Sequence, residues 1–333
     1  MNRAKPTTLL TGFLGSGKTS YLNHLIQINP TTRYAIIENE FGEESIDGEL
    51  ILRAADEIVE LNNGCLCCSL NENLYQILDD LHQRKDEFDE LIIEATGIAD
   101  PAGIAEAFIA HPAIRKGFDL IRTICLIDAE LITTQIETIE EVSKQIAFSD
   151  ILLINKTDLV NESVIADLKQ KLAQINPNAR VIPKEKNEFP SDILPVAHHQ
   201  KVLQSMNQAP CNVHHHHNCD HEHEPAKISN HSHQHSQIST HTFVFDELFH
   251  LTKLYYQLTV YLKFQAADLY RIKGFLAVHD SDEKHLLQSV GKRIIVEPFS
   301  PWEAGEMRKS RIVFIGKNLK PEGLLKMIEK CLQ

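Results

Sequence analysis

Short, almost wholly apolar runs alternate with segments of helical period over the first 180 or so residues. The apolar runs lie at 7–11, 33–38, 57–61, 90–94, 123–128, 150–155 and 179–182, and helical segments at 17–28, 70–84, 101–110 and 162–175 separate several of them. Runs such as "LIIE" and "ILLIN" lack a polar face, which is typical of strands buried on both faces of a sheet. The alternation predicts an α/β domain with a mostly parallel sheet.

The pattern is lost between residues 190 and 240, which contain no Phe, Tyr or Trp and are rich in His, Asn, Gln and Ser. Such a segment cannot bury enough apolar surface to fold alone, so we expect a flexible linker. Beyond it, "THTFVFD", "RIKGFLAVHD", "RIIVEPF" and "RIVFIG" predict strands, and 247–264 and 321–332 predict helices. The expected organisation is an α/β domain at 1–189, a linker at 190–240 and a small α+β domain at 241–333.

Bulk composition narrows the classes of function. Apolar residues make up 43% and charged residues 24% of the chain, a soluble composition, and no apolar run approaches the ~20 residues of a membrane-spanning helix. The first residues turn glycine-rich at once, so we expect no signal peptide and a cytoplasmic location. The formal net charge of −13 disfavours nucleic-acid binding. Seven cysteines, an odd number, favour reduced thiols and metal binding over a disulfide framework.

The stretch "GFLGSGKT", Gly12–Thr19, matches the phosphate-binding pattern G-x-x-x-x-G-K-[ST] between a predicted strand and a predicted helix. Backbone N–H groups and the helix N-terminus bind phosphate, Lys18 would reach the β- and γ-phosphates, and Thr19 would bind Mg²⁺. A plain glycine-rich turn is the alternative, and the satisfied context disfavours it. The predicted nucleotide contacts are Gly12, Gly15, Ser16, Gly17, Lys18, Thr19 and Ser20.

Two later strand ends agree with a nucleotide site. "LIIEATG" ends with Glu94, where a P-loop protein places an acid acting on Mg²⁺ or its water, and Gly97 can offer its N–H to the γ-phosphate. "ILLINKTD" carries N-K-x-D: Asp158 can accept from the ring N–H and amino group of guanine, Asn155 would meet the other edge, and Lys156 would line the base. Adenine lacks that donor pair and would leave a buried Asp unpaired, at a cost of about 1–3 kcal/mol, so we predict GTP.

The acidic segment "ENEFGEESIDGEL", residues 38–50, lies in the sequence between the phosphate-binding stretch and Glu94. We expect a loop that is ordered by the triphosphate and released after hydrolysis. Asp47 would complete the Mg²⁺ shell or orient water, and a solvated acidic loop is the alternative. The predicted catalytic residues are thus Lys18, Glu94 and Asp47.

Three crowded cysteines, Cys65, Cys67 and Cys68, stand between a predicted strand and the helix at 70–84. Thiolates near a helix N-terminus have a lowered pKa, and C-x-C lets two thiolates bind one Zn²⁺. A switch acid such as Glu40, a histidine, water or a partner would complete the shell, and an incomplete shell favours loading and release. The alternative interpretations are a structural zinc site, a redox dithiol and three buried thiols.

Histidines are concentrated in the expected linker, with 12 of 18 between His198 and His241. Imidazole binds Zn, Ni, Co and Cu, and short His-rich tracts indicate metal binding. A purification tag or an inert spacer is disfavoured, because the run is internal, is followed by acids and has so many imidazoles. The candidate ligands are His214, His215, His216, His217, His221 and His223.

The stretches "TGFLGSGKTS", "IENEFGE", "IDGEL", "NNGCLCC", "LIIEATGIADP" and "NKTD" stand in the order typical of the CobW-like P-loop GTPases, which are grouped with the urease and hydrogenase nickel-insertion GTPases. The chain resembles this family strongly from Thr7 to about Ile182 and more weakly through its C-terminal strands. The resemblance implies a low-activity GTPase that couples its nucleotide state to delivery of a metal, often zinc, to a client metalloprotein. It matches the three cysteines to the family's metal-binding C-x-C-C and is compatible with a homodimer.

Two alternative functions stay open. A zinc store with a vestigial GTPase is disfavoured by the intact Lys18 and Glu94. A cobalt- or nickel-insertion GTPase would use the same motifs, and only the sulfur-rich ligand set leans toward zinc.

Overall fold

The computed structural model describes residues 4–38, 49–54, 57–62, 70–184, 188–189, 193, 238–264, 267–303 and 305–332. The chain divides into two compact units, Met1–Ala209 and Pro210–Gln333. Over the described ranges, no helix has the length and apolar character needed to cross a membrane.

The N-terminal unit is a sheet of eight strands flanked by helices. Its strands are β1 (Lys5–Thr11), β2 (Tyr34–Glu38), β3 (Glu49–Ala54), β4 (Glu57–Asn62), β5 (Glu90–Glu94), β6 (Phe118–Asp128), β7 (Ile151–Asn155) and β8 (Arg180–Pro183). Its helices are α1 (Lys18–Ile28), α2 (Leu70–Gln83), α3 (Pro101–Ala110), α4 (Pro112–Gly117), α5 (Ile132–Thr138), α6 (Glu140–Phe148) and α7 (Glu162–Ile175). The strand order is β4-β3-β2-β5-β1-β6-β7-β8, with six parallel strands from β2 to β8 and antiparallel pairing of β3 and β4 at one edge.

The parallel strands are buried on both faces. Successive residues of a strand point to opposite faces, and both Leu9 and Leu10 of β1 are at most 1% exposed. Every residue of β5 and β7 is buried. One face packs on α1 through Tyr21, Leu22 and Leu25. The predicted α/β domain with a mostly parallel sheet is therefore confirmed.

Several elements of this unit differ from the expectation. Strand β3 begins at Glu49, inside the segment expected as a loop, because it pairs with β2 and β4. Strand β6 begins at Phe118 rather than Thr123, because Phe118–Arg122 pair with Lys5–Thr8 of β1. The side chain of Arg122 is buried there against Glu90 (Nη2 to Oε1, 2.6 Å). Helices α4, α5 and α6 were not predicted.

Ile193, which lies in the expected linker, belongs to the core of the N-terminal unit together with Phe189 at the end of the expected α/β domain. Phe189 is 7% and Ile193 1% exposed, and both lie in the apolar cluster that contains Tyr21. The ring centroids of Tyr21 and Phe189 are 5.1 Å apart. The packed part of this unit therefore reaches beyond residue 190.

The C-terminal unit is an antiparallel sheet with two helices. Its elements are β9 (Ile238–Phe245), α8 (Leu251–Phe264), β10 (Leu269–Ala277), β11 (Glu283–Val290), β12 (Arg293–Pro301), β13 (Ser310–Lys317) and α9 (Pro321–Glu329). The strand order is β12-β11-β10-β13-β9. Phe249, Leu258, Phe314 and Ile328 are buried in one core that joins the helices to the sheet. The small α+β domain is confirmed.

In this unit the starts of two elements were predicted wrongly and one strand was missed. Strand β9 starts at Ile238, within the expected linker, because it pairs with β13 up to Lys317. Helix α8 starts at Leu251 rather than Glu247, since the N–H of Phe249 donates to the carbonyl of Ala277 in a bridge. Strand β11, which lies between β10 and β12, was not predicted.

A candidate nucleotide site at the carboxyl ends of the parallel strands

The loop between β1 and α1 has a backbone that only glycine adopts easily. Gly12, Gly15 and Gly17 have φ of 137°, 73° and 97°. A Cβ on Gly12 would lie 2.4 Å from the carbonyl oxygen of Leu126, and one on Gly17 would lie 2.2 Å from Asn155 Nδ2. No side chain caps the first turn of α1, so its N–H groups are available to an anion.

The polar side chains of this loop fit a phosphate. Lys18 is 9% exposed and its Nζ donates to the carbonyl of Gly12 at 3.0 Å. The hydroxyl of Ser16 is buried and has no hydrogen-bond partner within the described part of the chain. A phosphate oxygen would accept from that hydroxyl and offset the cost of burying it. The phosphate-binding residues predicted from the sequence are thus brought together here, with Ser20 exposed on the first turn of α1.

A hydroxyl and a carboxylate meet beside this loop. Thr19 Oγ1 donates to Glu94 Oε1 at 3.0 Å. Glu94 ends β5, which pairs with β1 so that Glu94 lies opposite Leu10. Both groups are oxygen ligands of the kind that Mg²⁺ prefers. The two residues predicted for Mg²⁺ therefore fit the ion and lie next to the phosphate loop.

The loop after Glu94 is held from two sides. A Cβ on Gly97 would lie 2.5 Å from the backbone nitrogen of Leu14, so this loop packs directly on the phosphate loop. From α6, Gln145 Nε2 donates to the carbonyls of Gly97 (3.0 Å) and Ala99 (3.2 Å). Gln145 was missed from the sequence, because it looks like an ordinary polar helix residue and its contacts cross more than forty positions.

The N-K-x-D segment is also tied into the site. Asn155 Nδ2 donates to the carbonyl of Ser16 at 2.9 Å, whereas we expected Asn155 to meet a base edge, and that contact stays a prediction. Lys156 has φ of 57°, and its Nζ lies 2.7 Å from Asp128 Oδ2. Asp158 is exposed in the 3₁₀ turn Thr157–Leu159, where a ligand can reach it.

Asp128 is a second residue that sequence reasoning missed. It ends β6 opposite Asn155 of β7 and is 3% exposed. Its Oδ1 accepts from the backbone N–H groups of Glu130 (3.0 Å) and Leu131 (3.3 Å), while Oδ2 accepts from Lys156. An acid at the end of the strand beside N-K-x-D was the pattern that could have revealed it.

The other candidate ligands and switch residues lie outside the described residues. They are Glu40, Asp47, Cys65, Cys67, Cys68, His214, His215, His216, His217, His221 and His223. In the described part of the chain, no group of three or more His, Cys, Asp or Glu side chains could hold a metal ion. Cys125 and Cys331 are both buried there; burial raises the pKa of Cys125 to about 12 and also raises that of Cys331. Neither thiol is suited to metal binding as a thiolate.

Both units match known protein families. Residues 6–183 match the family described as CobW/HypB/UreG, nucleotide-binding domain, and residues 238–332 match the Cobalamin synthesis protein cobW C-terminal domain. The chain is 32% identical over 319 residues to the Zinc chaperone YjiA of Escherichia coli, covering 95% of each chain. It is 26% identical to the Zinc chaperone CobW of Pseudomonas aeruginosa, covering 98% of this chain and 91% of the relative.

A solved structure has the same fold along the whole chain. It is the crystal structure of the Zn(II)-bound YjiA GTPase from E. coli, with a TM-score of 0.72, 26% identity and full coverage of both chains. A second crystal structure with the same scores is a Zn(II)-bound triple mutant of that GTPase, in which one Glu and two Cys are replaced by Ala.

Proposed function

Because the chain belongs to the CobW/HypB/UreG family and is a P-loop GTPase, we propose that it uses GTP binding and hydrolysis to deliver Zn²⁺ to a client metalloprotein. The observation that carries the proposal is similarity over 95% of the chain to a relative named as a zinc chaperone. The Zn(II)-bound GTPase of the same fold supports it.

Phosphate binding would rest on the loop between β1 and α1. Its glycines and the uncapped start of α1 present N–H groups to the phosphates. Lys18 Nζ, which lies on the carbonyl of Gly12 here, would turn to the β- and γ-phosphate oxygens. Thr19 and Glu94 would hold Mg²⁺, the first directly and the second directly or through water. When bound, Mg²⁺ neutralises charge between the β- and γ-phosphates.

Guanine would be selected at the opposite end of the site. Asp158 would accept from the ring N–H and the amino group of the base, and the stem of Lys156 would line the ring. The contact of Asp128 with Lys156 Nζ, at 2.7 Å, fixes that stem before a ligand arrives. Asn155 Nδ2 donates to the carbonyl of Ser16, so the segment that would bind the base is hydrogen-bonded to the loop that would bind the phosphates.

Zinc would be the cargo of this cycle. Cys65, Cys67 and Cys68, with Glu40 or another acid, would bind it next to the nucleotide, and Asp47 would belong to the switch. The linker histidines His214–His217, His221 and His223, which lie in the sequence between the two domains, would capture zinc. The partner would be a cytoplasmic metalloprotein, and the chaperone itself would act as a monomer or homodimer.

Steady-state GTP hydrolysis with and without Zn²⁺ tests the coupling in wild type, Cys67→Ala and the control Cys331→Ala. We expect zinc to change the turnover of wild type and of the control several-fold, and to leave Cys67→Ala unchanged. Zinc affinity should be measured alongside rather than zinc content, because the E. coli relative is Zn(II)-bound even without one Glu and two Cys. If zinc leaves the turnover of wild type unchanged and Cys67→Ala binds zinc as tightly as wild type, the proposal is wrong.

The two alternatives give different outcomes in related experiments. A zinc store would still activate its client as Lys18→Ala, which removes the phosphate-binding ammonium. A cobalt or nickel chaperone would show preference for Co²⁺ or Ni²⁺ over Zn²⁺ when the three compete for the nucleotide-bound protein.

A further inference from the structure

Gln145 lies on α6, and its fully buried side-chain amide contacts the loop that follows β5 at the nucleotide site. It is 0% exposed, and its single Nε2 donates to two carbonyls of the loop after β5, those of Gly97 and Ala99, at 3.0 and 3.2 Å. Because both carbonyls belong to one turn, closed by the N–H of Ala99 on the carbonyl of Thr96, the amide fixes the position of the whole turn.

The contribution of this side chain to stability does not by itself explain why an amide occupies the position. Its Oε1 is buried and has no hydrogen-bond partner within the described part of the chain, which costs free energy. A Met or Leu side chain would fill a similar volume without burying an unpaired oxygen. An amide at this position is explained if what matters is the placement of the loop that it holds.

We propose that Gln145 is a positioning residue for GTP hydrolysis, which holds the Gly97–Ala99 turn against the phosphate loop where the third phosphate of GTP binds. The turn is packed closely there: a Cβ on Gly97 would lie 2.5 Å from the nitrogen of Leu14. The residues just before the turn are held by the sheet, because the N–H of Ala95 donates to the carbonyl of Leu10 in β1 at 2.8 Å. Beyond Thr96, the donated hydrogen bonds of Gln145 hold the turn from the side of α6.

If Gln145 positions this turn, its replacement should affect GTP hydrolysis and GDP binding differently. Loops after the strand-end acid of a GTPase are ordered by contacts to the γ-phosphate, which GDP lacks. Asp158 would bind the guanine and Lys18 the β-phosphate, both of which GDP also has, although Lys18 would reach the γ-phosphate as well. Both residues lie on segments other than this turn. Loss of the Gln145 contacts should therefore slow hydrolysis and leave the affinity for GDP almost unchanged. This inference rests on the GTPase assignment within the proposed function and needs no zinc delivery.

Gln145→Met removes both donors and keeps the volume, and Asn176→Leu is its matched control. Asn176 is also buried (1% exposed), and its Nδ2 donates to the carbonyls of Ile146, Ala147 and Ser149 at the end of the same helix. Like Gln145, it is a buried amide that donates to backbone carbonyls, but those carbonyls lie at the end of α6 and not in the Gly97–Ala99 turn, and its Oδ1 also accepts from the N–H of Asn178 at 3.2 Å. The melting temperature of each variant is measured first, and the kinetic assays are run well below the lower of the two values, so that unfolding does not contribute to a difference between them.

The measurement is kcat and KM for GTP, together with the Kd of fluorescently labelled GDP. For Gln145→Met we expect kcat to fall about tenfold or more, with KM and the Kd of GDP within about twofold of wild type. For Asn176→Leu we expect all three to stay within about twofold. An unchanged kcat in Gln145→Met, an equal loss of kcat in Asn176→Leu, or an equal loss of GDP affinity would overturn the inference.

A second variant keeps the test decisive if Gln145→Met does not fold. Gln145→Glu preserves the shape, and its carboxyl group donates to a carbonyl only when protonated. Its kcat relative to wild type should therefore rise as pH falls from about 8 to about 6, because burial beside two carbonyls raises the pKa of a carboxyl group. A ratio that is flat or falls with decreasing pH would contradict the inference. Wild type without GTP hydrolysis would overturn the GTPase assignment as well, whereas active wild type with unimpaired variants overturns this inference alone.

Discussion

Asp128→Asn tests how the guanine end of the site is held. The carboxylate is 3% exposed, and its Oδ2 lies 2.7 Å from the ammonium of Lys156. Asn would keep an oxygen for the backbone N–H groups of Glu130 and Leu131, which Oδ1 accepts now. It would lose the negative charge and set an NH₂ group against the ammonium. The substitution therefore removes the contact with Lys156 and retains the local turn.

The size of the effect follows from the burial of the two partners. A hydrogen bond to a charged group contributes about 1.5–3 kcal/mol. The Lys156 side chain is 35% exposed, so solvent screening lowers this to about 1–2 kcal/mol. If that free energy is expressed in ligand binding, the Kd rises about 5- to 30-fold. The effect should be the same for GTP and GDP, because both contain guanine, and kcat should stay unchanged.

Titration with fluorescently labelled GDP and a non-hydrolysable GTP analogue measures both affinities, and steady-state turnover gives kcat. Glu140→Gln is the control, because it removes a carboxylate from an exposed ion pair with Lys144 at 3.1 Å and should change neither affinity. A loss of affinity for GTP alone, or a fall in kcat with both affinities intact, would refute the role assigned to Asp128.

Two further predictions concern the backbone and the thiols. Gly17→Ala should lower the melting temperature and abolish GDP binding, because φ is 97° and the new Cβ would lie 2.2 Å from Asn155 Nδ2. Gly15→Ala, at φ of 73° with no atom within 4 Å of the new Cβ, should have a clearly smaller effect on both quantities, which thermal melts and GDP titrations measure. Cys125 and Cys331 should resist iodoacetamide at about pH 8 in the native protein and react after unfolding, as followed by mass spectrometry. The raised pKa of Cys125, about 12, leaves roughly one thiolate in ten thousand at that pH, and alkylation of either residue in the native state would contradict the burial.

The elements predicted correctly from the sequence depend on residues that are close together in the chain. Strand β5 and helices α3 and α7 have the predicted bounds. The strand is apolar between its two terminal Glu residues, and both helices begin after a residue of a type that commonly caps helices, Asp100 or Asn161. The phosphate loop was predicted because its glycines and its lysine carry the chemistry in consecutive positions.

The elements that were missed depend on distant partners. Strand β11 has a sequence, "EKHLLQSV", that alone fits helix or strand, and it is a strand because β10 and β12 pair with it on both sides. Arg122 and Gln145 are residue types that are mostly exposed in proteins, yet both are buried here. Arg122 is paired with Glu90, and Gln145 donates to the carbonyls of Gly97 and Ala99. These contacts exist only once the strands are ordered in the sheet, so neither periodicity nor a motif predicts them.

Coupling between the nucleotide state and zinc affinity is measured as the Kd of Zn²⁺ against a competing chromophoric chelator. The measurement is made on the full chain bound to GDP and, separately, to a non-hydrolysable GTP analogue with Mg²⁺. We expect zinc affinities that differ by about 5- to 150-fold, and by linkage the same factor must separate the nucleotide affinities with and without zinc. Equal zinc affinities in the two nucleotide states would contradict the coupling.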